Sequence, residues 1–324
     1  FIDNNLPELA QKWLERSDEK DDPDYKEIEA RIAFQTANYD KAERLLKGLL
    51  ENSPFSASLW KMLAATQFVN GNVADSVESC EYAIAIDPSD VEAIGNKARA
   101  LSTLARFNEA MVFYERYLKQ VPHDAPMRVM YAIALAGVGD NEGALKNLYM
   151  AKTDCTDRDT LSDISSQIIY VLSIIGKYDE ALVFLGNSEK HGDITRTARL
   201  LSEGRIRLDM GETQKAADCF AEAFICSRND MDTYIQTAMA YFDKGGVQQA
   251  IHTLLAGLTI NPDTKRGYSY LADCYRLTGE KEKFIDAMAM AVKYNPVELV
   301  EVLGTHFPAD MSVYDYINYA KDNM

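Results

Sequence analysis

The sequence has few of the features on which catalytic and metal sites depend. Its five cysteines contain no CxxC pair, and no two of its four histidines lie four residues apart. Zinc sites need convergent sulfur and nitrogen ligands, and disulfide frameworks need paired cysteines. No phosphate-binding GxxxxGK[ST] loop, GxSxG elbow or HExxH helix occurs. We therefore predict no enzyme activity, no metal and no cofactor, and free thiols favour a reducing, cytoplasmic compartment.

Basic residues and long apolar runs are also scarce. The chain has 34 basic and 50 acidic residues, a formal net charge of -16. Such a charge repels nucleic-acid backbones and anionic lipids, so nucleic acid is excluded as a partner. No apolar run approaches the roughly 18 residues of a membrane-spanning helix, and we expect a soluble chain without membrane insertion. Because the sequence begins at Phe1, a removed leader and further N-terminal repeats stay open.

What the sequence does contain is an internal repeat. Pro54, Pro88 and Pro122 follow one another at intervals of 34 residues. Small residues keep nearly the same interval along the whole chain, at Ala42, Ser76, Ala110, Ala144, Ala181, Ala216 and Ala250. A period of 34 residues is typical of stacked helix-turn-helix units.

Two segments resemble the signature of the tetratricopeptide family. The last repeat carries it at Tyr268, Leu271, Ala272, Tyr275, Gly279, Ala291 and Pro296, and an earlier one at Trp60, Leu63, Ala64, Gly71, Ala83 and Pro88. The resemblance implies an all-α fold, a right-handed α-α superhelix of about eight helix-turn-helix repeats. These repeats are expected to begin near residues 23, 57, 91, 125, 162, 197, 231 and 265.

Terminal segments are expected to cap the stack, because an exposed stacking face would aggregate. We predict an N-terminal capping helix or partial repeat in residues 1–22, eight repeats in residues 23–298 and C-terminal capping helices in residues 299–324. Tyr314, Tyr316 and Tyr319 either seal the last repeat or contact a partner or a second copy of the chain. A homodimer through the terminal repeats therefore stays open.

One side of each first helix lies opposite the packing residues, and in the family that side lines a concave groove. The repeat register predicts a partner-binding face of Lys61, Phe68, Asn96, Arg99, Ile133, Tyr170, Arg205, Met239, Phe242 and Arg276. Arg99 and Arg205 are predicted to anchor an acidic or carboxylate-bearing segment of a partner. Alternatively, these arginines pair with neighbouring acids, for which the candidates are Glu92, Glu203 and Asp209.

The leading functional hypothesis is a scaffold that receives an extended or helical protein segment along this groove. Two alternatives stay open: a non-catalytic recognition domain of a larger regulatory or enzymatic chain, and a carrier of a small ligand or glycan. A clamp for a chaperone C-terminal tail is disfavoured. Its carboxylate-binding positions are matched by Lys61 and Asn96 but not by Ala65, Pro126 and Met130.

We expect Ala272→Trp to destabilise the protein strongly. The small side chain lies where two helices of one repeat should touch, and overpacking costs about 1–3 kcal/mol or more. The denaturant midpoint measures this effect, and an unchanged midpoint would contradict the assigned register.

Overall fold

The computed structural model describes residues 22–306 together with 311, 312, 315 and 318, and this part of the chain is all-α without a strand. Seven packed pairs of adjacent helices occur, four in residues 23–154 and three in residues 196–294. Two further helices lie between these groups in the sequence, and a short helix and a 3-10 turn follow the last pair. These observations confirm the predicted fold class. The expected N-terminal capping helix and the tyrosines Tyr314, Tyr316 and Tyr319 lie outside the described residues. Among the described helices, none has the length and apolar character that a bilayer crossing requires.

The helices are numbered in chain order. The first four pairs are α1 (Pro23–Gln35) with α2 (Tyr39–Asn52), α3 (Ala57–Val69) with α4 (Val73–Ile86), α5 (Val91–Thr103) with α6 (Phe107–Gln120), and α7 (Ala125–Gly137) with α8 (Asn141–Asp154). The helices α9 (Arg158–Ile174) and α10 (Tyr178–His191) come next in the sequence. The last three pairs are α11 (Arg196–Asp209) with α12 (Thr213–Cys226), α13 (Met231–Phe242) with α14 (Val247–Ile260), and α15 (Tyr268–Thr278) with α16 (Lys281–Tyr294). Helix α17 (Pro296–Leu303) and the turn Gly304–His306 follow.

The chain forms two compact units, Phe1–Val171 and Leu172–Met324. In residues 23–154, each first helix packs on its own second helix, and the second helices α2, α4 and α6 each pack on the first helix of the next pair. The first helices α3, α5 and α7 also contact one another directly. In the second unit, α11 and α13 make the same kind of contact. First helices therefore line one side of the stack within each unit.

Small residues at fixed positions let the paired helices approach closely. In α4, the Ser76 hydroxyl donates a 2.8 Å hydrogen bond to the backbone carbonyl of Ala64 in α3. The corresponding Ala110, Ala144 and Ala216 of later pairs are completely buried. Tyr114 and Phe220, one turn further along their helices, are among the largest fully buried side chains and fill the space beside these contacts. In the last pair the buried Phe284 takes the position of the small residue.

The turn between the two helices of a repeat requires a left-handed backbone residue. Glycine occupies this position at Gly71 and Gly139, with φ of 86° and 87°. Alanine occupies the same position at Ala37 and Ala105, with φ of 58° and 55°. An L-residue with a Cβ pays about 1–2 kcal/mol to adopt this conformation. Packing of the two helices therefore imposes the turn even where the residue disfavours it.

Two first helices begin away from the strict period. Helix α9 begins at Arg158 rather than near 162, because the Asp157 carboxylate accepts 2.9 Å and 2.7 Å hydrogen bonds from the Thr160 amide and hydroxyl and so caps an earlier start. Helix α15 begins at Tyr268 rather than near 265, since Gly267 has a φ of 99° and its amide donates to Glu298. Local capping thus sets these boundaries.

Two helical glycines provide a matched test of packing. A Cβ at Gly204 in α11 would lie 2.4 Å from the buried Phe220 ring, whereas a Cβ at Gly186 in α10 meets nothing within 4 Å. We expect Gly186→Ala to raise the free energy of unfolding by about 0.5–1 kcal/mol through helix propensity. Gly204→Ala should lower it by about 1–3 kcal/mol through overpacking. Urea unfolding measures both, and equal shifts of the two midpoints would contradict the close packing at Gly204.

Candidate functional site

One position of the repeat, the ninth when counted from the predicted starts near residues 57, 91, 125 and 162, gives a series of residues in the first unit. This series is Ala65, Arg99, Ile133 and Tyr170. Because α3, α5 and α7 contact one another, the first three of these residues follow one another along one side of the stack. Arg99 is exposed, and Ile133 and Tyr170 expose 43% and 59% of their surface. Large exposed apolar side chains of this kind occur at binding surfaces.

The surroundings of Arg99 orient its guanidinium without neutralising it. The guanidinium donates a hydrogen bond to the Asn96 side-chain oxygen, one helical turn earlier. Its central carbon lies 6.0 Å from the centroid of the Phe68 ring, which is half-buried against the core. Among the residues that the structure describes, Arg99 forms no ion pair with a carboxylate.

Lys61, in contrast, is neutralised within the protein. Its ammonium lies 3.1 Å from an Asp90 carboxylate oxygen and 2.8 Å from Glu92. Partial burial alone would lower the pKa of Lys61, but the hydrogen bonds to Glu92 and Asp90 outweigh it and raise the pKa. Glu92, one of the predicted partners of Arg99, is therefore paired with Lys61 instead.

In the second unit, the predicted anchor Arg205 also has an acidic partner. Arg205 pairs with Asp243, and Lys244 lies 2.5 Å from Asp209, so two pairs connect α11 with the end of α13. Glu203 instead pairs with Arg199 and with Arg207, on the same helix as Arg205. The acid that neutralises Arg205 is thus neither of its predicted neighbours.

The remaining groove residues of the second unit contribute to the core or to local pairs. Met239 and Phe242 are partly buried and pack against the hydrophobic cluster around Leu254. Arg276 donates 2.9 Å and 2.6 Å hydrogen bonds to Asp273 and lies 3.3 Å from the His306 ring nitrogen. These contacts lie within the second unit and leave little unpaired charge among its predicted site residues.

Comparison with protein families accounts for the repeat. Two family models described as tetratricopeptide repeat match residues 29–91 with 235–296 and residues 91–122. The chain belongs to the tetratricopeptide-repeat family. Tetratricopeptide-repeat chains are interaction scaffolds, and these matches indicate no enzyme family.

Individual relatives of this tetratricopeptide-repeat chain are distant. It is 23% identical over 217 residues to the human mitochondrial import receptor subunit TOM34, across 65% of this chain and 69% of that protein. The mouse protein is 24% identical, across 64% and 68%. A crystal structure of a tetratricopeptide repeat protein from Parabacteroides merdae is similar in fold with a TM-score of 0.60 and 13% identity, over 79% of this chain and 98% of that one.

The acids that pair with Arg205 and with Lys61 were not identified from the sequence. Asp243 lies 38 residues after Arg205, and Asp90 lies 29 residues after Lys61. The repeat register could have suggested these acids, because partners in neighbouring tetratricopeptide repeats lie roughly one period apart in the sequence. Only their approach in the folded stack reveals which acid each basic residue contacts.

The two buried cysteines of this tetratricopeptide-repeat protein do not have activated thiols. Cys80 and Cys274 are buried, and burial raises the pKa of each thiol to about 12. A raised pKa disfavours the thiolate, which is the nucleophilic form. Within the described residues, no group of three or more potential metal-binding side chains occurs.

We expect a thiol reagent at about pH 8 to separate these cysteines by environment. The exposed Cys226 should react with the folded protein within minutes, while the buried Cys80 and Cys274 should react only after unfolding in denaturant. Mass spectrometry of digested protein identifies each modified residue. Modification of Cys80 as fast as that of Cys226 in the folded protein would contradict the burial.

Proposed function

We propose that this chain binds an acidic or carboxylate-bearing segment of another protein along the first helices of its first unit, with Arg99 as the anchor. One observation carries the proposal. Of the four basic residues predicted for the groove, Lys61, Arg205 and Arg276 each have an acidic partner, whereas Arg99 forms no ion pair in the described part of the chain. Arg99 is therefore the basic residue that is available to a partner.

The chemistry of Arg99 suits carboxylate recognition. A guanidinium presents two parallel N–H donors that match the two oxygens of a carboxylate. The hydrogen bond to Asn96 and the approach to the Phe68 ring reduce the conformational freedom that binding would otherwise have to remove. In a chain of net charge -16, an unneutralised cation also directs an acidic segment to this point.

We propose that Ile133 and Tyr170 supply the apolar contact. Ile133 follows Arg99 in the register, and Tyr170 follows Ile133. Tyrosine buries a large surface and loses little conformational entropy, and it is enriched among the residues that dominate binding energy. We propose that a segment anchored at Arg99 continues over Ile133 and Tyr170.

The predicted site residues of the second unit have a lesser role in this proposal. Arg205 would have to leave Asp243 before it could bind a partner carboxylate, and that exchange reduces the net gain. Met239, Phe242 and Arg276 are held by their own neighbours. We propose that they contribute surface complementarity around a bound segment and little affinity.

The relatives support recognition of proteins as the general role. TOM34 is described as a mitochondrial import receptor subunit, and a receptor is a protein that recognises other molecules. We propose that this chain shares recognition of a protein segment, while the identity of its partner is its own.

We expect Arg99→Ala to weaken binding of acidic peptides about tenfold, which corresponds to about 1.4 kcal/mol. The probe is a panel of fluorescein-labelled peptides that alternate glutamate with leucine, with glutamine-leucine peptides of equal length for comparison. Fluorescence anisotropy measures the affinities. Lys119→Ala is the matched control, because Lys119 is an exposed basic residue on the second helix α6 and its removal changes the net charge equally.

The two variants should have the same melting temperature as the parent protein. Tyr170→Ala should weaken binding of the same peptides by about threefold to tenfold through lost apolar contact. If Lys119→Ala weakens binding as much as Arg99→Ala, or if neither peptide class binds the parent protein, the proposed site is wrong.

A further inference from the structure

A second surface of the first unit is acidic, in contrast to the surface around Arg99. A groove of ≈ 470 Å³ lies between the first two helix pairs, next to the second helices α2 and α4. Its walls come from α2, α3 and α4. Arg99, Ile133 and Tyr170 do not contribute to this groove.

Two stacked aromatic rings form one wall of the groove. The ring centroids of Trp60 and Tyr82 lie 4.4 Å apart with an interplanar angle of 23°. The Trp60 indole N–H donates a 2.8 Å hydrogen bond to the Pro54 carbonyl, so its polar edge is already satisfied. Tyr82 exposes 46% of its surface, and the buried Leu50 and Leu63 complete an apolar floor. Such a wall suits a group that combines an apolar stem with a positive charge.

The charges at the rim are acidic and uncompensated. Glu51, Asp75 and Glu78 line the groove and are exposed, and none of them has an ion pair in the described residues. The one basic residue of the lining, Lys47, lies 2.8 Å from the buried carboxylate of Glu43. Its charge is thus already compensated.

A network of hydrogen bonds holds Glu43 in place beside Lys47. The Ser79 hydroxyl donates to the Gln67 side-chain oxygen at 2.7 Å, and the Gln67 amide donates to Glu43 at 3.5 Å. Burial alone would raise the pKa of Glu43, but hydrogen bonds from Lys47, Gln67 and Asn72 outweigh it and lower the pKa. Glu43 therefore stays ionised and retains Lys47, which leaves the three rim carboxylates for an external cation.

We propose that this groove binds an arginine-bearing basic segment of another protein. The guanidinium stacks on the face of the Trp60 and Tyr82 pair, the aliphatic stem contacts Leu50 and Leu63, and the charge is met by the rim carboxylates. Arginine suits the site better than lysine, because a planar guanidinium stacks on aromatic rings and also donates to carboxylates in a fork. The chain then presents a basic anchor on its first helices and an acidic groove beside its second helices, and the two surfaces select partners of opposite charge.

Substitutions of the rim carboxylates test the proposal. The probe is a short fluorescein-labelled peptide that alternates arginine with glycine, titrated by fluorescence anisotropy. We expect Asp75→Asn and Glu78→Gln each to weaken binding by about fivefold or more. Glu142→Gln is the matched control, because Glu142 is an exposed acid in the first turn of the second helix α8 and its neutralisation changes the net charge equally. This variant should bind within about twofold of the parent protein.

Substitution of the aromatic wall separates stacking from bulk electrostatics. Tyr82→Leu retains apolar volume but removes the ring face, together with the hydroxyl that donates a 3.4 Å hydrogen bond to Glu78. It should weaken binding of the arginine peptide by about threefold or more, whereas Tyr82→Phe, which removes only the hydroxyl, should bind it within about twofold of the parent protein. A matched peptide with lysine in place of arginine should bind the parent protein more weakly and lose less on Tyr82→Leu. Thermal unfolding confirms that each variant retains the fold.

Three outcomes would overturn the proposal. Equal losses in Asp75→Asn and Glu142→Gln would show that only the overall negative charge attracts the peptide. No loss in Tyr82→Leu would remove the aromatic wall from the site. If the parent protein dimerises without peptide and Asp75→Asn abolishes the dimer, the groove binds a second copy of the chain instead. Arg99→Ala should leave arginine-peptide binding unchanged, so failure of this groove and failure of the Arg99 site are distinguishable.

Discussion

The close approach of two antiparallel helices is the constraint on which the rest of the structure depends. In most pairs a side chain no larger than serine stands at the facing position, as the contact between Ser76 and the Ala64 carbonyl shows. In the last pair, the buried Phe284 takes that position. A helix pair of this kind still exposes an apolar face, and only the next pair covers it. The register of the small residues therefore sets the period of the chain, and the period in turn determines which side chains lie on the first-helix surface.

Much of the fold could be predicted because the residues that pack the helices together recur at nearly constant intervals in the sequence. The starts of α3, α5, α7 and α13 at residues 57, 91, 125 and 231 follow the arithmetic of the repeat. The starts of α9 and α15 do not, since Asp157 and Gly267 act through local hydrogen bonds and backbone conformation that have no period. Periodicity predicts where helices pack, and capping chemistry decides where they begin.

The candidate site was harder to predict than the fold. The register placed Arg99 and Arg205 at equivalent positions of their helices, yet only the folded stack shows that Arg205 contacts Asp243 and that Arg99 contacts an amide and a ring. Ion pairs depend on the directions of long side chains from neighbouring repeats, which a residue pattern does not contain. The groove beside Tyr82 was also missed, because its walls come from three helices and the family signature marks only the residues that pack those helices together.

The left-handed alanines at Ala37 and Ala105 bear on how such a chain can diverge. They adopt the backbone conformation that glycine has at Gly71, although their own preference opposes it. If packing across the helix pair dictates the turn, the turn residue is free to change during evolution at a modest and local loss of stability. Sequence signals in the turns can then disappear while the stack of helices persists. A shared fold at 13% identity is what such drift would produce.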